Sequence, residues 1–215
     1  MTMPAAAILL AGGRATRLGG RDKPQLEVGG RTLLQHALAA VAGCDPVVVV
    51  GDPAPGIAGV RWVREQPRFG GPGAAVVAGM GALADAAGRS GDAGADAGAL
   101  PEWTVLLACD LPRAGDAVAR VLRDLPLLPA DADGVCLADP SSRPQWLTGA
   151  YRTAALRRGA SALPGAGAGA SMRDLLADLA IAVVAAPADE TADVDTWEDL
   201  EEARARYGGP DEERS

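Results

Sequence analysis

The amino-acid sequence predicts an α/β fold, a three-layer α/β/α sandwich around a mainly parallel sheet. Three observations predict it. Unbroken apolar runs recur at Ala5–Leu10 and Val47–Val50, and Trp103–Ala108 is apolar except for Thr104; such runs mark strands buried on both faces. Strand patterns and segments with helical spacing of apolar residues alternate for most of the chain, with no internal repeat. The length, 215 residues of which 48% are hydrophobic, is that of one large domain with a sizeable core. Residues 1–207 are read as that domain and 208–215 as a polar C-terminal tail.

In order, Ala5–Leu10 is a buried strand, and residues 11–30 are a loop whose second half, Gln25–Gly30, is a short extended piece ending in a turn. Thr32–Val41 carries helical spacing. It holds His36, the only histidine, with no carboxylate or cysteine at ligand spacing, so His36 reads as a surface or packing residue. Val47–Asp52 and Val60–Arg64 are the next strands, and the second leads to Glu65-Gln66-Pro67. Gly70-Gly71-Pro72 turns into a helix of small residues, whose first N–H groups favour an anion or a carbonyl. Asp85–Pro101, rich in Gly, Ala and Asp, reads as a mobile surface insertion. Trp103–Ala108 is a strand that delivers Asp110, followed by a helix over 113–124. Asp133–Ala138 is a strand, Arg143–Tyr151 an extended segment and Gly159–Ala170 a flexible run. Ser171 and Asp174 form a capping box opening a helix to Leu179; Ile181–Val184 is a late strand; Thr196 and Asp199 form a second capping box.

Bulk properties exclude several classes. The formal charge of -8 argues against a nucleic-acid or anionic-membrane partner. Aromatic residues are only 3% of the chain, so the core is built from Ala, Val and Leu. Cys44, Cys109 and Cys136 lie apart with no C-x-x-C spacing, which indicates neither a disulfide framework nor a metal knuckle. No signal segment and no apolar run of ~18 residues is present, and a reducing, cytoplasmic location is expected.

The chemistry concentrates where the first strand stops. Gly12 and Gly13 bring bare backbone N–H groups close to a ligand, and successive N–H groups in such a turn make an anion-binding concavity. Arg14, Arg17 and Lys23 add positive charge. A Walker A loop is excluded because Pro24 follows Lys23, and a dinucleotide fingerprint because Gly12 and Gly13 are adjacent and residue 17 is Arg. The pattern is that of a polyphosphate holder. Asp110, at the carboxyl end of a buried strand, stands where open α/β sheets bind ligands. It suits a hard divalent cation or the start of the helix that follows.

These residues carry a resemblance. Leu10-Ala11-Gly12-Gly13, Arg17-Leu18-Gly19-Gly20 and Asp22-Lys23-Pro24 resemble the signature of the nucleotidyltransferases that build nucleotide forms of the molybdenum cofactor. The chain is most similar to the MobA-like molybdenum cofactor guanylyltransferase family. Its signature reads L-A-G-G, three residues, R-[ML]-G-G, one residue, D-K, and every fixed position is met. Gly70-Gly71-Pro72 resembles the family's G-G-P-L-A turn with Gly73 in place of Leu, and Cys109-Asp110-Leu111-Pro112 its C-D-x-P. Asp193-Val194-Asp195-Thr196 with Glu198-Asp199-Leu200 resembles its N-x-N-T-P-E-D-L. Departures are Asp at 193 and 195 where Asn is frequent, Trp197 for Pro, Glu65-Gln66 for Glu-Asp and Arg143-Pro144 for His-Pro. The nucleotide half is thus matched better than the pterin half.

The resemblance implies a Rossmann-like, GT-A-like nucleotidyltransferase fold and transfer of GMP from GTP to the phosphate of molybdopterin, with Mg²⁺ and release of pyrophosphate. It implies nucleotide binding by Leu10, Ala11, Gly12, Gly13, Lys23, Gly51, Gln66, Gly71 and Asp110. Lys23, Arg17 and Asp110 are the implied catalytic residues, with Arg17 on the β/γ-phosphates and Lys23 at the α-phosphate. Asp110 holds the metal, joined by Asp195, for which a role at the helix start is the alternative. Such transfer needs positioning and charge stabilisation rather than covalent help. The attacking phosphate is already an anion, so no general base is required. Expected partners are GTP, molybdopterin, and a molybdoenzyme or another cofactor-synthesis protein. Rival readings are a cytidylyltransferase for the same cofactor, another small-molecule phosphate nucleotidylyltransferase, and a non-catalytic nucleotide-binding module.

Overall fold

The computed structural model describes residues 4–13, 18–19, 21–89 and 99–208. Arg14, Arg17, Gly20, residues 90–98 of the expected insertion and the tail beyond Gly208 lie outside the described residues. The elements are β1 (Ala5–Leu10), a small hairpin of β2 (Glu27–Val28) and β3 (Arg31–Thr32), α1 (Leu33–Ala40), β4 (Val47–Val50) and β5 (Arg61–Val63). Then come α2 (Pro72–Arg89), β6 (Trp103–Ala108), α3 (Ala114–Asp124), β7 (Gly134–Ala138) and β8 (Pro144–Arg152). The chain finishes with α4 (Thr153–Ala162), α5 (Met172–Leu175), β9 (Ile181–Ala185), α6 (Ala188–Thr191) and α7 (Trp197–Tyr207).

Seven strands form one sheet in the order β5-β4-β1-β6-β8-β7-β9. All run parallel except β8, which is antiparallel to β6 and to β7. The expected sandwich is visible in β1 itself. Ala5, Ala7 and Leu9 pack with Leu34 and Ala37 of α1 and Val118 and Val121 of α3. Ala6, Ile8 and Leu10 pack with Val76, Met80 and Leu83 of α2 and Leu156 of α4. The two-residue period of a strand sends alternate side chains to opposite faces, and each face here meets a helical layer. Gly79 lets α2 settle closely on β1, since a Cβ there would stand 2.6 Å from Ile8 Cγ2. A third cluster joins Leu18, Leu26, Val28 and Leu33 to Val194, Leu200 and Ala203, pinning the segment after β1 to α7.

Three expectations are corrected. Residues 85–89 continue α2 to Arg89; their Ala content favours helix over loop. Gly159–Ala170 is not a free run: α4 extends through Ala162, and a tight turn over Pro164–Gly167 follows. Its small residues serve close packing, because a Cβ on Gly159 would collide with the Leu175 carbonyl oxygen. The helix opened by the Ser171–Asp174 capping box ends at Leu175, four residues before Leu179. Both expected capping boxes are present, and a third, Thr32 with Gln35, starts α1. No helix among the described residues is long and apolar enough to cross a membrane.

Candidate active site

The site lies at the carboxyl edge of the sheet, where β1, β4 and β6 hand over to loops. The Leu10 carbonyl accepts from Cys109 N–H at 3.0 Å and Ala11 N–H donates to the Val50 carbonyl at 2.9 Å, so the first loop is lashed between both neighbouring strands. Gly51 makes room for this: a Cβ there would lie 3.1 Å from Ala11 Cβ. A Cβ on Gly13 would meet nothing within 4 Å, so its backbone faces open space.

Pro24 disfavours helical backbone at Lys23 and predicts an extended chain there. Instead Lys23–Gln25 forms a 3-10 turn, with Gln25 N–H donating to the Asp22 carbonyl and Leu26 N–H to the Lys23 carbonyl. The turn sends the ammonium inward, where it donates to Asp110 Oδ2 at 2.9 Å and Asp195 Oδ1 at 2.5 Å. Asp110 does not cap α3, whose N-cap position is Arg113. The start of α7 is capped by Thr196, which leaves the Asp195 carboxylate to the site. The Asp110 carbonyl accepts Val194 N–H at 3.0 Å, and this bond brings Asp193 in as well. One carboxylate oxygen each from Asp110, Asp193 and Asp195 lies within 4.8 Å of the others. Oxygen donors at such spacing fit a hard divalent cation.

Burial pulls the Lys23 ammonium down, but Asp110 and hydrogen bonds to both aspartates outweigh it and hold the group above its ordinary value. Asp193 is pushed up, first by burial and then by repulsion from Asp110 and Asp195, with Lys23 acting against the shift. Cys109, beside Asp110, is fully buried, and burial pushes its thiol up, so it supplies no nucleophile. Asp193 therefore costs stability wherever it is charged. In metal-free protein at pH 7 we expect Asp193→Asn to raise Tm by up to ~2–4 °C. The gain should vanish as pH falls below about 4, where the carboxyl is protonated in both folded and unfolded chains. A melt that moves downward at pH 7 would contradict this.

Two clefts flank the Gly12-Gly13 turn. One, of about 330 Å³, is lined by Ala11, Gly51 and Asp52 and by Arg21, Arg64 and Arg68. Asp52 pairs with Arg64, and with Arg68 at 2.9 Å. The other, of about 360 Å³, runs past Leu10, Gly71, Pro72 and Ala75 to Asp110 and Leu147. Gly12, Gly13, Glu65 and Phe69 line both. Gly71, at φ 91°, supplies a turn that only glycine takes easily. The first free N–H of α2 finds a carbonyl: Gly73 donates to Ala170 at 3.1 Å. That contact explains Gly73 itself, since a Cβ there would stand 2.7 Å from the Ala170 oxygen.

Of the residues singled out from sequence, Leu10, Ala11, Gly12, Gly13, Lys23, Gly51, Gly71, Asp110 and Asp195 come together at this edge. Arg17 lies outside the described residues. Gln66 is exposed and lines neither cleft; its neighbour Glu65, 7% exposed, lines both. Glu65, Phe69, Asp193 as a member of the carboxylate group, and Leu147 went unassigned. For Asp193 a signal existed: residues two apart in extended chain share a face. His36, read as a packing residue, donates from Nε2 to the Val28 carbonyl at 2.9 Å.

Open backbone N–H groups, a held ammonium and a set of oxygen donors, with no activated nucleophile beside them among the described residues, equip a site for moving phosphorus-bound groups by charge and position. On this sheet they mark the nucleotidyltransferase class. Residues 7–184 match the MobA-like NTP transferase domain, and the chain belongs to that family. It is 46% identical over 78 residues to the molybdenum cofactor guanylyltransferase of Bradyrhizobium sp. (strain ORS 278), covering 34% of this chain and 37% of that one. To the guanylyltransferase of Pseudomonas putida (strain GB-1) it is 31% identical over 115 residues, 51% and 52% of the two chains. The chain thus spans about half or less of the length of the curated relatives it matches. Among solved structures, molybdopterin-guanine dinucleotide biosynthesis protein A from Archaeoglobus fulgidus superposes with a TM-score of 0.65 at 16% identity over 94% of this chain and 97% of that one. The 2-C-methyl-D-erythritol 4-phosphate cytidylyltransferase of Thermus thermophilus gives 0.63 at 20% identity over 96% and 100%. These likenesses establish the GT-A-like fold.

Proposed function

We propose that this protein transfers GMP from GTP to the phosphate of molybdopterin, releasing pyrophosphate, with Mg²⁺ as the metal. One observation carries the reading: Lys23 is held by two carboxylates of a three-carboxylate group beside the Gly12-Gly13 turn. Binding a nucleotide passively needs no such group. That the curated relatives are molybdenum cofactor guanylyltransferases supports guanine and the molybdenum cofactor.

In this reading the Leu10–Gly13 backbone holds the nucleotide. Lys23 exchanges carboxylate partners for phosphate oxygens and stabilises charge at the α-phosphate, while Arg17 serves the β/γ-phosphates. Asp110 and Asp195, with Asp193 beside them, would hold the cation, which when bound neutralises phosphate charge and helps pyrophosphate leave. Gly51 shapes one of the two clefts and Gly71 the other; a nucleotide contact from Gln66 would need the exposed side chain to turn toward the bound base. Residues 1–207 act as one catalytic domain with 208–215 as a tail. The protein works in the cytoplasm, and a molybdoenzyme or another cofactor-synthesis protein takes its product.

Calorimetric titration with GTP, CTP, ATP and UTP, with and without Mg²⁺, tests the reading, followed by pyrophosphate release with molybdopterin as acceptor. Mg²⁺-dependent GTP preference and release are expected. Tighter CTP binding would move the protein to the cytidylyl branch, and binding without turnover to the non-catalytic module.

A further inference from the structure

We infer that Glu65 is the residue that reads the guanine base, by accepting hydrogen bonds from its N1–H and 2-amino groups. The inference rests on the guanylyl reading and names the group that would select the base. Glu65 follows β5 and is more than nine-tenths buried, yet it lines both clefts beside Gly12 and Gly13. A charged group is rarely taken from water without a partner. Among the described residues Glu65 has one: Oε1 accepts the Phe69 N–H at 3.0 Å. No hydrogen bond to Oε2 is made among the described residues. Oε2 lies 4.0 Å from where a Cβ on Gly12 would stand, so the missing side chain at 12 leaves space in front of the carboxylate.

The chemistry of that space favours one base. Guanine offers two adjacent donors on its pairing edge, and a carboxylate offers two acceptors at matching spacing. Adenine, cytosine and uracil each set a ring acceptor or carbonyl beside their donor and would point it at the negative charge. Oε1 keeps a second lone pair beside its bond to Phe69, so both oxygens can serve. Phe69, 43% exposed and lining both clefts, sets an aromatic side chain within reach of a flat base. Gln66 shares none of this burial.

The test compares GTP, ITP and CTP binding by calorimetry with Mg²⁺, for wild-type protein and Glu65→Gln. Glutamine keeps an oxygen for the Phe69 N–H but turns an amide donor toward the base. We expect wild-type protein to bind ITP, which lacks the 2-amino group, about 5–10-fold more weakly than GTP. We expect Glu65→Gln to weaken GTP by about 10–10²-fold, to leave CTP within about 3-fold and to erase the GTP/ITP difference. Equal wild-type affinity for GTP and ITP would overturn the inference without any variant. Equal weakening of all three nucleotides, or of none, would also overturn it: Glu65 would then brace the loop only. A GTP preference surviving Glu65→Gln overturns the inference and leaves the guanylyl reading intact, whereas a wild-type preference for CTP removes both.

Discussion

Replacing Lys23 with alanine is expected to lower pyrophosphate release by ~10²–10³, the cost of removing one directed donor from a developing anion. Nucleotide affinity should fall much less, because a donor aimed at the α-phosphate acts chiefly in the transition state. The geometry adds a consequence. Without the ammonium, Asp110 and Asp195 lose the cation bonded to both of them, and Asp193 rises further because Lys23 now opposes its shift. The more negative, uncontested carboxylate group should hold Mg²⁺ at least as tightly, and GTP binding by the variant should fall more without Mg²⁺ than with it. Lys23→Arg should not rescue it, since the hollow that Lys23 shares with Leu10–Gly13, Pro24 and Asp110 measures only about 50 Å³. The measurement is single-turnover release beside direct GTP titration. An affinity loss equal to the rate loss would make Lys23 a ground-state anchor. The stability that Lys23 draws from its partners has a defined window. Its folded pKa is raised, so the contribution is complete below the ordinary lysine value of about 10.4 and is lost as pH climbs through the raised one. Between pH 7 and pH 9 the Tm difference from Lys23→Ala should stay flat.

Asp110→Asn is expected to reduce turnover by about 10²–10³ through lost charge stabilisation, with Tm changed by no more than ~2–4 °C. Asparagine is the informative choice because it keeps the side-chain shape and the backbone carbonyl that accepts Val194 N–H. The Asp193–Asp195 segment should therefore stay in place. The readout is the Mg²⁺ concentration for half-maximal release, which should rise several-fold. Near-normal turnover with an unchanged Mg²⁺ requirement would reduce Asp110 to an anchor for Lys23.

The sequence displays the first half of this architecture openly because its signals are local. Ala5–Leu10 is an unbroken apolar run and Trp103–Ala108 is one except for Thr104, and both are buried strands. Thr196 with Asp199 is a chemical signal for a helix start that needs no tertiary context. Gly159–Ala170 shows where such reading ends. Glycine for mobility and glycine for contact look alike until the partner is known. Here the partner is chain from elsewhere: a Cβ on Gly167 would stand 2.9 Å from the Gly73 carbonyl carbon. Direction was equally hidden, since nothing in Pro144–Arg152 says that it runs against β6 and β7. At the site, Lys23 and Asp110 were legible from type and position, but their bond was not. Burial separated Glu65 from Gln66, and burial is decided by residues far along the chain.

The bond between Lys23 and Asp195 spans 172 positions, and this has a bearing on when the protein becomes competent. The strands around β1 make their contacts without it. The lysine finds its second carboxylate only after the segment from Asp193 to Ala203 has docked on Leu18, Leu26 and Leu33. Closing so long a span is entropically costly, and such contacts form late. In refolding, the sheet should thus be native before phosphate recognition returns. In the folded protein the order reverses: brief opening of α7 would disarm Lys23 while the seven strands remain paired, so the site is expected to exchange amide protons faster than the sheet beneath it.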